Sequence, residues 1–218
     1  LRQAHPGIAF EIISFKTTGD NVTDRPLASF RGTGGFVKEL QRAVLDGGAD
    51  FAVHSLKDVP TLQAQGLILA SFPPRENAQD ILITREGGPL ESLPPGALVG
   101  TGSPRRQVQL RRLRADLRFR DLRGNLDTRL EKLRRGDCDA IVLAAAGLNR
   151  LGVVVPNAHP LPLSQCIPAV GQGILALECR PEDEATCRLL AAVDDEATRT
   201  AALAERSFLA ALGGGCLM

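Results

Sequence analysis

Three clusters in this chain carry side chains that could do chemistry. The first is His54-Ser55-Leu56-Lys57-Asp58, directly after the apolar run Phe51-Ala52-Val53. A short apolar run that ends abruptly in polar residues reads as a buried strand. In open α/β sheets, ligands bind just beyond the carboxyl ends of strands, so these polar residues fall where such a fold places its chemistry. Pro60 keeps a helix from absorbing them, because the residue before a proline is pushed to extended geometry. The competing reading is a polar turn with a solvated Lys-Asp pair. The second cluster is Gly100-Thr101-Gly102-Ser103-Pro104-Arg105-Arg106. Ser103 is placed to cap a helix and Pro104 to begin it, so unpaired N–H groups should face an anion there. Arg105 and Arg106 add planar forks suited to carboxylates. The third cluster is Gly213-Gly214-Gly215-Cys216, which puts a thiol on a glycine loop and suggests covalent attachment. Its rival is the ordinary fate of a free cysteine, burial as a small apolar residue.

The elements that must position these groups alternate between strands and helices. Residues 9–16 are β-branched and aromatic and predict a strand. From Phe36 the residues Leu40, Ala43 and Val44 make one helical face, ended by Gly47-Gly48. The Phe51 strand and a strand at Leu67–Ala70 follow, an alternation that predicts parallel α/β units. After Pro73–Asn77 a second set is expected: strands 80–84 and 97–100, helix 104–115, strand 118–122, helix 126–135 and strand 140–143. A Pro-rich loop over 156–168, a returning strand at Ile174–Glu178 and helices 182–193 and 196–212 complete the chain. The expected organisation is domain 1 from residues 1–74 and 172–193, domain 2 from 75–171, and the start of a third domain over 194–218. A cleft between domains 1 and 2 is the expected ligand site. Arg123 and Arg150 follow successive strands of domain 2, with Arg129 a turn or so beyond Arg123, so several guanidinium groups should serve that site.

Totals narrow the function. Hydrophobic residues make up 44% and charged residues 23% of 218, an ordinary globular balance with ample core. Net charge is only +1, so no whole-molecule field argues for nucleic acid or a membrane surface. Residues 105–135 do hold twelve Lys/Arg against four acids, a net +8, yet Phe119 alone could stack on a base there. Arg111, Arg112, Arg114, Arg134 and Arg135 are read as solvated helix faces. The five cysteines show no C-x-x-C or Cys/His ligand spacing, so no metal site is expected and a reducing compartment fits. Cys138, Cys166, Cys179 and Cys187 are read as structural. There is no apolar run of transmembrane length.

Taken in order, VHSLKDVPT (53–61), GTGSPRRQ (100–107), RGNLDTRL (123–130), AAAGLNRLG (144–152), PAVGQGILALE (168–178) and ERSFLAALGGGC (205–216) closely resemble the porphobilinogen deaminase family, also called hydroxymethylbilane synthase. The resemblance implies two α/β domains like type II periplasmic binding proteins, with crossover hinges and a third α/β domain of which only the first helix is present. It implies a transferase that joins porphobilinogen units head to tail with release of ammonia, giving the linear hydroxymethylbilane of tetrapyrrole and haem biosynthesis. The primer is a dipyrromethane held by thioether to the cysteine matching Cys216. Asp58 matches the catalytic aspartate, whose charge would steady positive charge on pyrrole nitrogens and whose carboxylate could assist proton transfer. Ser55, Lys57, Asp58, Thr101, Ser103, Arg105, Arg106, Arg129 and Gly173 would hold the cofactor. Arg123, Arg129, Arg150 and Gln172 would bind substrate. His54 is expected to be a structural hydrogen-bonding residue.

The resemblance also implies a first strand and helix ahead of residue 1, so the chain reads as a fragment. Gly32-Thr33-Gly34-Gly35-Phe36 stands where the family often has GKGLF, removing a lysine near the cofactor, and Gly102 replaces a common serine. A cytoplasmic monomer with no nucleic-acid or membrane partner is expected. The rival function is a non-catalytic small-anion-binding module on the same fold. It needs the arginines but neither Asp58 nor Cys216.

Overall fold

The computed structural model describes residues 1–15 and 37–213, which fall into two units. In chain order the elements begin with α1 (Lys38–Leu45), β1 (Phe51–Ser55), a 3-10 turn (Leu56–Asp58), β2 (Ile68–Ser71), β3 (Asp80–Thr84), β4 (Leu98–Gly100), α2 (Pro104–Leu113) and β5 (Arg118–Arg120). They continue with α3 (Leu126–Arg134), β6 (Ala140–Ala144), α4 (Ala145–Arg150), β7 (Ala158–Pro160), β8 (Leu175–Cys179), α5 (Glu184–Ala191) and α6 (Glu196–Ala211). Unit 1 holds residues 1–15, 37–75 and 174–213, and unit 2 holds 76–173. The chain crosses between Arg75 and Glu76 and returns between Gly173 and Ile174.

Unit 2 is a five-stranded sheet in the order β5-β4-β6-β3-β7. Its sequence is apolar at consecutive positions because both faces are covered. Leu82, Ala140 and Val142 point to one side, against Val99, Leu110 of α2 and Leu117. Ile81, Ile83, Ile141 and Leu143 point to the other, against Leu130 and Leu133 of α3 and Leu148 of α4. This is the period of two of a pleated strand, read on two faces. Each of these buried Val, Leu and Ile side chains contributes roughly 1.5–3 kcal/mol of transfer free energy.

Unit 1 has three strands in the order β1-β8-β2, with β8 antiparallel to both neighbours. The register sets Phe51 opposite Cys179 and Ser55 opposite Leu175. Leu56, Val59, Phe72, Ile174, Ala176 and Ala202 of α6 share one core cluster.

The α/β class holds, and three local expectations do not. Neither sheet is purely parallel: in unit 1 both strand pairs are antiparallel, and in unit 2 β4 runs parallel to β5 and β6 while β3 is antiparallel to β6 and β7. Strand-helix alternation in sequence does not determine direction when a long connection brings a strand back from the other side, as it does for β8. Residues 9–15 form no strand, and Ile12 is 81% exposed. A β-branched run becomes a strand only when a partner accepts its hydrogen bonds, and among the described residues none pairs with it. The proline-rich stretch hides β7, which adds to β3 through Ile81–Pro160 and Ile83–Ala158. Pro160 is tolerated because β7 is the last strand of its sheet. The expectations for Gly32–Phe36 and for Cys216 fall on residues outside those described. No helix among the described residues is long and apolar enough to cross a membrane.

Candidate functional site

Asp58 closes the 3-10 turn that follows β1 in unit 1. The Leu56 N–H donates to the Ile174 carbonyl at 3.0 Å, and the Val59 N–H donates back to the Leu56 carbonyl at 3.1 Å. Leu56 and Val59 are buried, so Lys57 and Asp58 sit half-buried between two apolar anchors. Ser55 is the exposed last residue of β1. His54 points into the core: its Nε2 lies 3.0 Å from Glu178 Oε2 on β8, and Gln41 Nε2 donates to Glu178 Oε1 at 3.1 Å. His54 is thus a buried structural partner, and the alternation of β1 places it opposite in direction to Ser55.

In unit 2, β5, β4 and β6 are adjacent and parallel, so their carboxyl ends open on one edge. β4 has its chain successors β5 and β6 on opposite sides, and its carboxyl end is therefore a switch point of the kind at which α/β sheets bind ligands. Thr101 follows β4 directly; it is buried, and its Oγ1 accepts the Ser103 N–H at 3.2 Å. Ser103 caps α2 by accepting from the Arg106 N–H at 3.4 Å, with Pro104 as the first helical residue. After β5, Asn125 caps α3 and accepts from the Thr128 N–H at 3.0 Å. The side chain of Arg123, just before it, is 11% exposed and lies 3.7 Å from Asp121. Arg129 Nε donates to the Gly124 carbonyl at 2.7 Å, which folds its side chain back over this loop. After β6, Arg150 ends α4 and donates from Nη2 to the Gly173 carbonyl at 2.7 Å. Burial draws the Arg150 pKa down, while Glu76 nearby acts the other way.

Arg105 and Arg106 converge on Asp80, the first residue of β3, which is fully buried. Arg106 donates from Nε and Nη2 to Asp80 Oδ1 at 3.1 and 2.7 Å, and from Nη1 to the Val142 carbonyl at 2.9 Å. Arg105 Nη2 lies 2.8 Å from Asp80 Oδ2. Gln172 Nε2 donates to Asp80 Oδ1 at 2.9 Å, and the Cys166 thiol donates to Oδ2 at 3.3 Å. Burial pushes the Asp80 carboxyl up, but the charges of Arg106 and Arg105, with hydrogen bonds from Arg106 and Gln172, outweigh it and hold the group below the ordinary carboxylate range. The site residues of unit 2 thus form three sets: Thr101 with Ser103 at the α2 N-terminus, Arg123 with Arg129 at the α3 N-terminus, and Arg105, Arg106 and Gln172 around Asp80. Arg150 with Gly173 lies where the chain leaves unit 2.

Asp80 was not foreseen from sequence. Its only signal is a lone acid opening an apolar strand, and Glu178 shows the same sign in β8. The basic stretch also divides. Arg111 lies over Phe119, with its Cζ 5.0 Å from the ring centroid. Arg114, expected on a solvated face, instead pairs with Asp116 at 2.7 Å and donates to the Leu90 and Leu93 carbonyls, tying down a loop. Cys138, Cys166 and Cys179 are buried. Burial raises all three thiols, with Asp80 adding to the effect at Cys166 (about 11) and Cys187 at Cys179 (about 12). These thiols stay protonated and unreactive at neutral pH.

The chain is similar to known proteins along nearly its whole length. The family model for "Porphobilinogen deaminase, dipyromethane cofactor binding domain" matches residues 1–188. A porphobilinogen deaminase of Roseiflexus sp. (strain RS-1) is 50% identical over 216 residues, covering 99% of this chain and 71% of that protein. One from Syntrophotalea carbinolica is 48% identical over 216 residues, covering 99% and 69%. Among solved structures, the BenM effector-binding domain with its effector benzoate aligns with a TM-score of 0.47 at 12% identity, covering 97% of this chain and 83% of that one.

Proposed function

This chain belongs to the porphobilinogen deaminase family, and from that premise we propose that it condenses porphobilinogen units head to tail, releasing one ammonia per unit, on a dipyrromethane attached through Cys216. The observation that carries the reading lies within unit 2: Thr101, Ser103, Arg105, Arg123 and Arg129 gather carboxylate-binding groups at the carboxyl ends of its parallel strands. Asp58, in unit 1, is the acid the reading assigns to the reaction.

Porphobilinogen and the dipyrromethane both bear acetate and propionate groups. The donors at the carboxyl edge of β5, β4 and β6 are hydroxyls, guanidinium groups and a helix N-terminus, a set whose chemistry fits such acids. When bound, the cofactor supplies the terminal pyrrole at which the chain grows. Thr101, Ser103 and Arg105 would hold its acidic side chains, with Arg106 reached through the same turn. Arg123, Arg129 and Arg150 would receive the acetate and propionate of incoming porphobilinogen. Loss of ammonia leaves positive charge delocalised over the substrate's pyrrole nitrogen. The Asp58 carboxylate would lower the energy of that charge by accepting the pyrrole N–H, an interaction strongest in the transition state. Once the new carbon–carbon bond has formed, the same carboxylate can take the proton from the attacking pyrrole's bonded carbon, whose loss restores that ring. Lys57 would offset the charge of the acid groups beside it.

A cytoplasmic monomer needing no nucleic acid goes with this reading. Arg114, Arg118 and Arg120 of the basic stretch are engaged by carbonyls of their own chain, which leaves fewer cations for phosphates. The test is the intact mass of the purified protein beside Cys216→Ser, with turnover measured in Asp58→Asn. The expected result is the mass of two linked pyrroles on the wild type and none on Cys216→Ser, with carboxylate binding kept and turnover lost in Asp58→Asn. Undiminished turnover in Asp58→Asn would instead favour the anion-binding module.

A further inference from the structure

The segment that leaves Asp58 is held by one side chain. Arg206, in the middle of α6, donates from Nη1 to the Val59 carbonyl at 3.1 Å. Its Nη2 donates to the Pro60 carbonyl at 2.7 Å and the Thr61 carbonyl at 3.2 Å. Three successive carbonyl oxygens therefore converge on one guanidinium. Carbonyls gathered in this way cannot all be met by a strand or a helix, and Pro60 has no N–H with which to join either. A planar fork with fixed donor directions can serve all three, whereas an ammonium on a flexible stem cannot hold them in one geometry.

We propose that Arg206 is a positioning residue for the reaction, fixing the exit of the Leu56–Asp58 turn and thereby the direction of the Asp58 carboxylate. The inference rests on the reading of Asp58 given above. The entry of the turn is set by the Leu56 N–H on the Ile174 carbonyl and by burial of the Leu56 side chain. The exit is set by the buried Val59 side chain and the Arg206 fork. With both ends fixed, the two residues between them have little freedom in φ and ψ, and a carboxylate one methylene from the backbone inherits that precision. Misplacement of a reacting group by about 1 Å can cost on the order of 100-fold in rate, so this restraint has kinetic weight. In sequence, Cys216 follows the end of α6, so the helix bonded to the loop of Asp58 is the one that precedes the proposed anchor.

The experiment compares Arg206→Leu, Arg206→Lys, Arg199→Leu and Asp58→Asn in the cofactor-loaded protein, reading kcat, KM, intact mass and amide exchange over residues 57–62. Arg199 is the control: it lies on the same helix and bonds the Ala70 carbonyl and Asp194, away from the acid turn. Arg206→Leu should lower kcat by about 10- to 100-fold with KM nearly unchanged, keep the cofactor mass and speed exchange at Lys57–Leu62. Arg206→Lys should recover part of both, and it stands in if the leucine variant does not fold. Arg199→Leu should lower the melting temperature and leave kcat in place. An unchanged kcat in Arg206→Leu beside an inactive Asp58→Asn overturns the positioning role alone. A kcat loss matched by Arg199→Leu also overturns it, as the effect is then one of general stability. Full turnover in Asp58→Asn removes the reading of Asp58 and the inference with it.

Discussion

Each unit contains an aspartate beside a strand end, and the two differ in burial: Asp80 is fully buried, whereas Asp58 is half-buried. Asp80 in unit 2 is ringed by side chains: Arg105, Arg106, Gln172 and Cys166 all reach its oxygens. Asp58 in unit 1 is placed through main chain, by Leu56 and Val59 amides and by the Arg206 fork on the carbonyls that follow. A buried carboxylate wrapped in donors is a framework charge whose removal strands its partners. A carboxylate placed through its backbone can change side-chain partners during a reaction without the fold giving way. Position near a strand end is common to both; depth of burial is not.

Exchange of each acid for its amide tests the contrast most severely. Asp80→Asn leaves the buried Arg106 and the partly buried Arg105 without their counter-charge and should cost about 3–5 kcal/mol in a urea titration. The pH dependence follows from the lowered carboxyl of Asp80. Its stabilisation is complete above the ordinary carboxylate pKa of about 4 and is lost as pH falls through the lower folded value. The gap between wild type and Asp80→Asn should therefore be steady at neutral pH and close only below about pH 4. A gap that ignores pH would assign the loss to packing.

Asp58→Asn should do the reverse, lowering turnover by about 100-fold or more while leaving the melting temperature within about 2 °C. A stability loss equal to that of Asp80→Asn would break the comparison.

A smaller effect sharpens it from the backbone side. Gly173, the last residue of unit 2, has φ +84, and a Cβ there would run into the Glu76 carbonyl oxygen. Gly173→Ala should cost roughly 1–3 kcal/mol or more. Gly152→Ala, at φ +63 with open space around the added carbon, should cost less. Equal melting temperatures for the two would show that the Glu76 carbonyl yields.

The smallest expected effect separates two roles of one residue. Ser103→Ala should lose about 1 kcal/mol through the α2 cap, and Ser103→Asp should keep that stability. If Ser103 also faces acidic groups, Ser103→Asp should load less cofactor by intact mass. Normal loading would limit Ser103 to capping.

Much of this was legible along the chain because it is local. Ser103-Pro104 announced the start of α2, and the apolar run Phe51–Val53 announced β1. Gly47-Gly48 and the continuous apolar runs of β3 and β6 were equally direct, since caps, turns and short apolar runs are properties of neighbouring residues. The family itself was legible through six ordered stretches of residue identity. The run 9–15 misled because strand propensity is fulfilled only against a partner. Arg106 is legible as a carboxylate-binding residue, but its buried contact with Asp80, 26 residues earlier, is not.

The sequence by itself determined that this is an α/β chain of the porphobilinogen deaminase family, which residues could do its chemistry, and where most helices start and stop. Tertiary structure alone decided that β8 returns antiparallel between β1 and β2, that His54 turns inward to Glu178, and that Asp80 joins Arg105 to Arg106. It alone set Arg206 beneath the turn of Asp58. Those are pairings between residues far apart in the chain, and hydrogen bonds and ion pairs form where folding brings partners within about 3 Å, a distance that spacing in sequence does not encode.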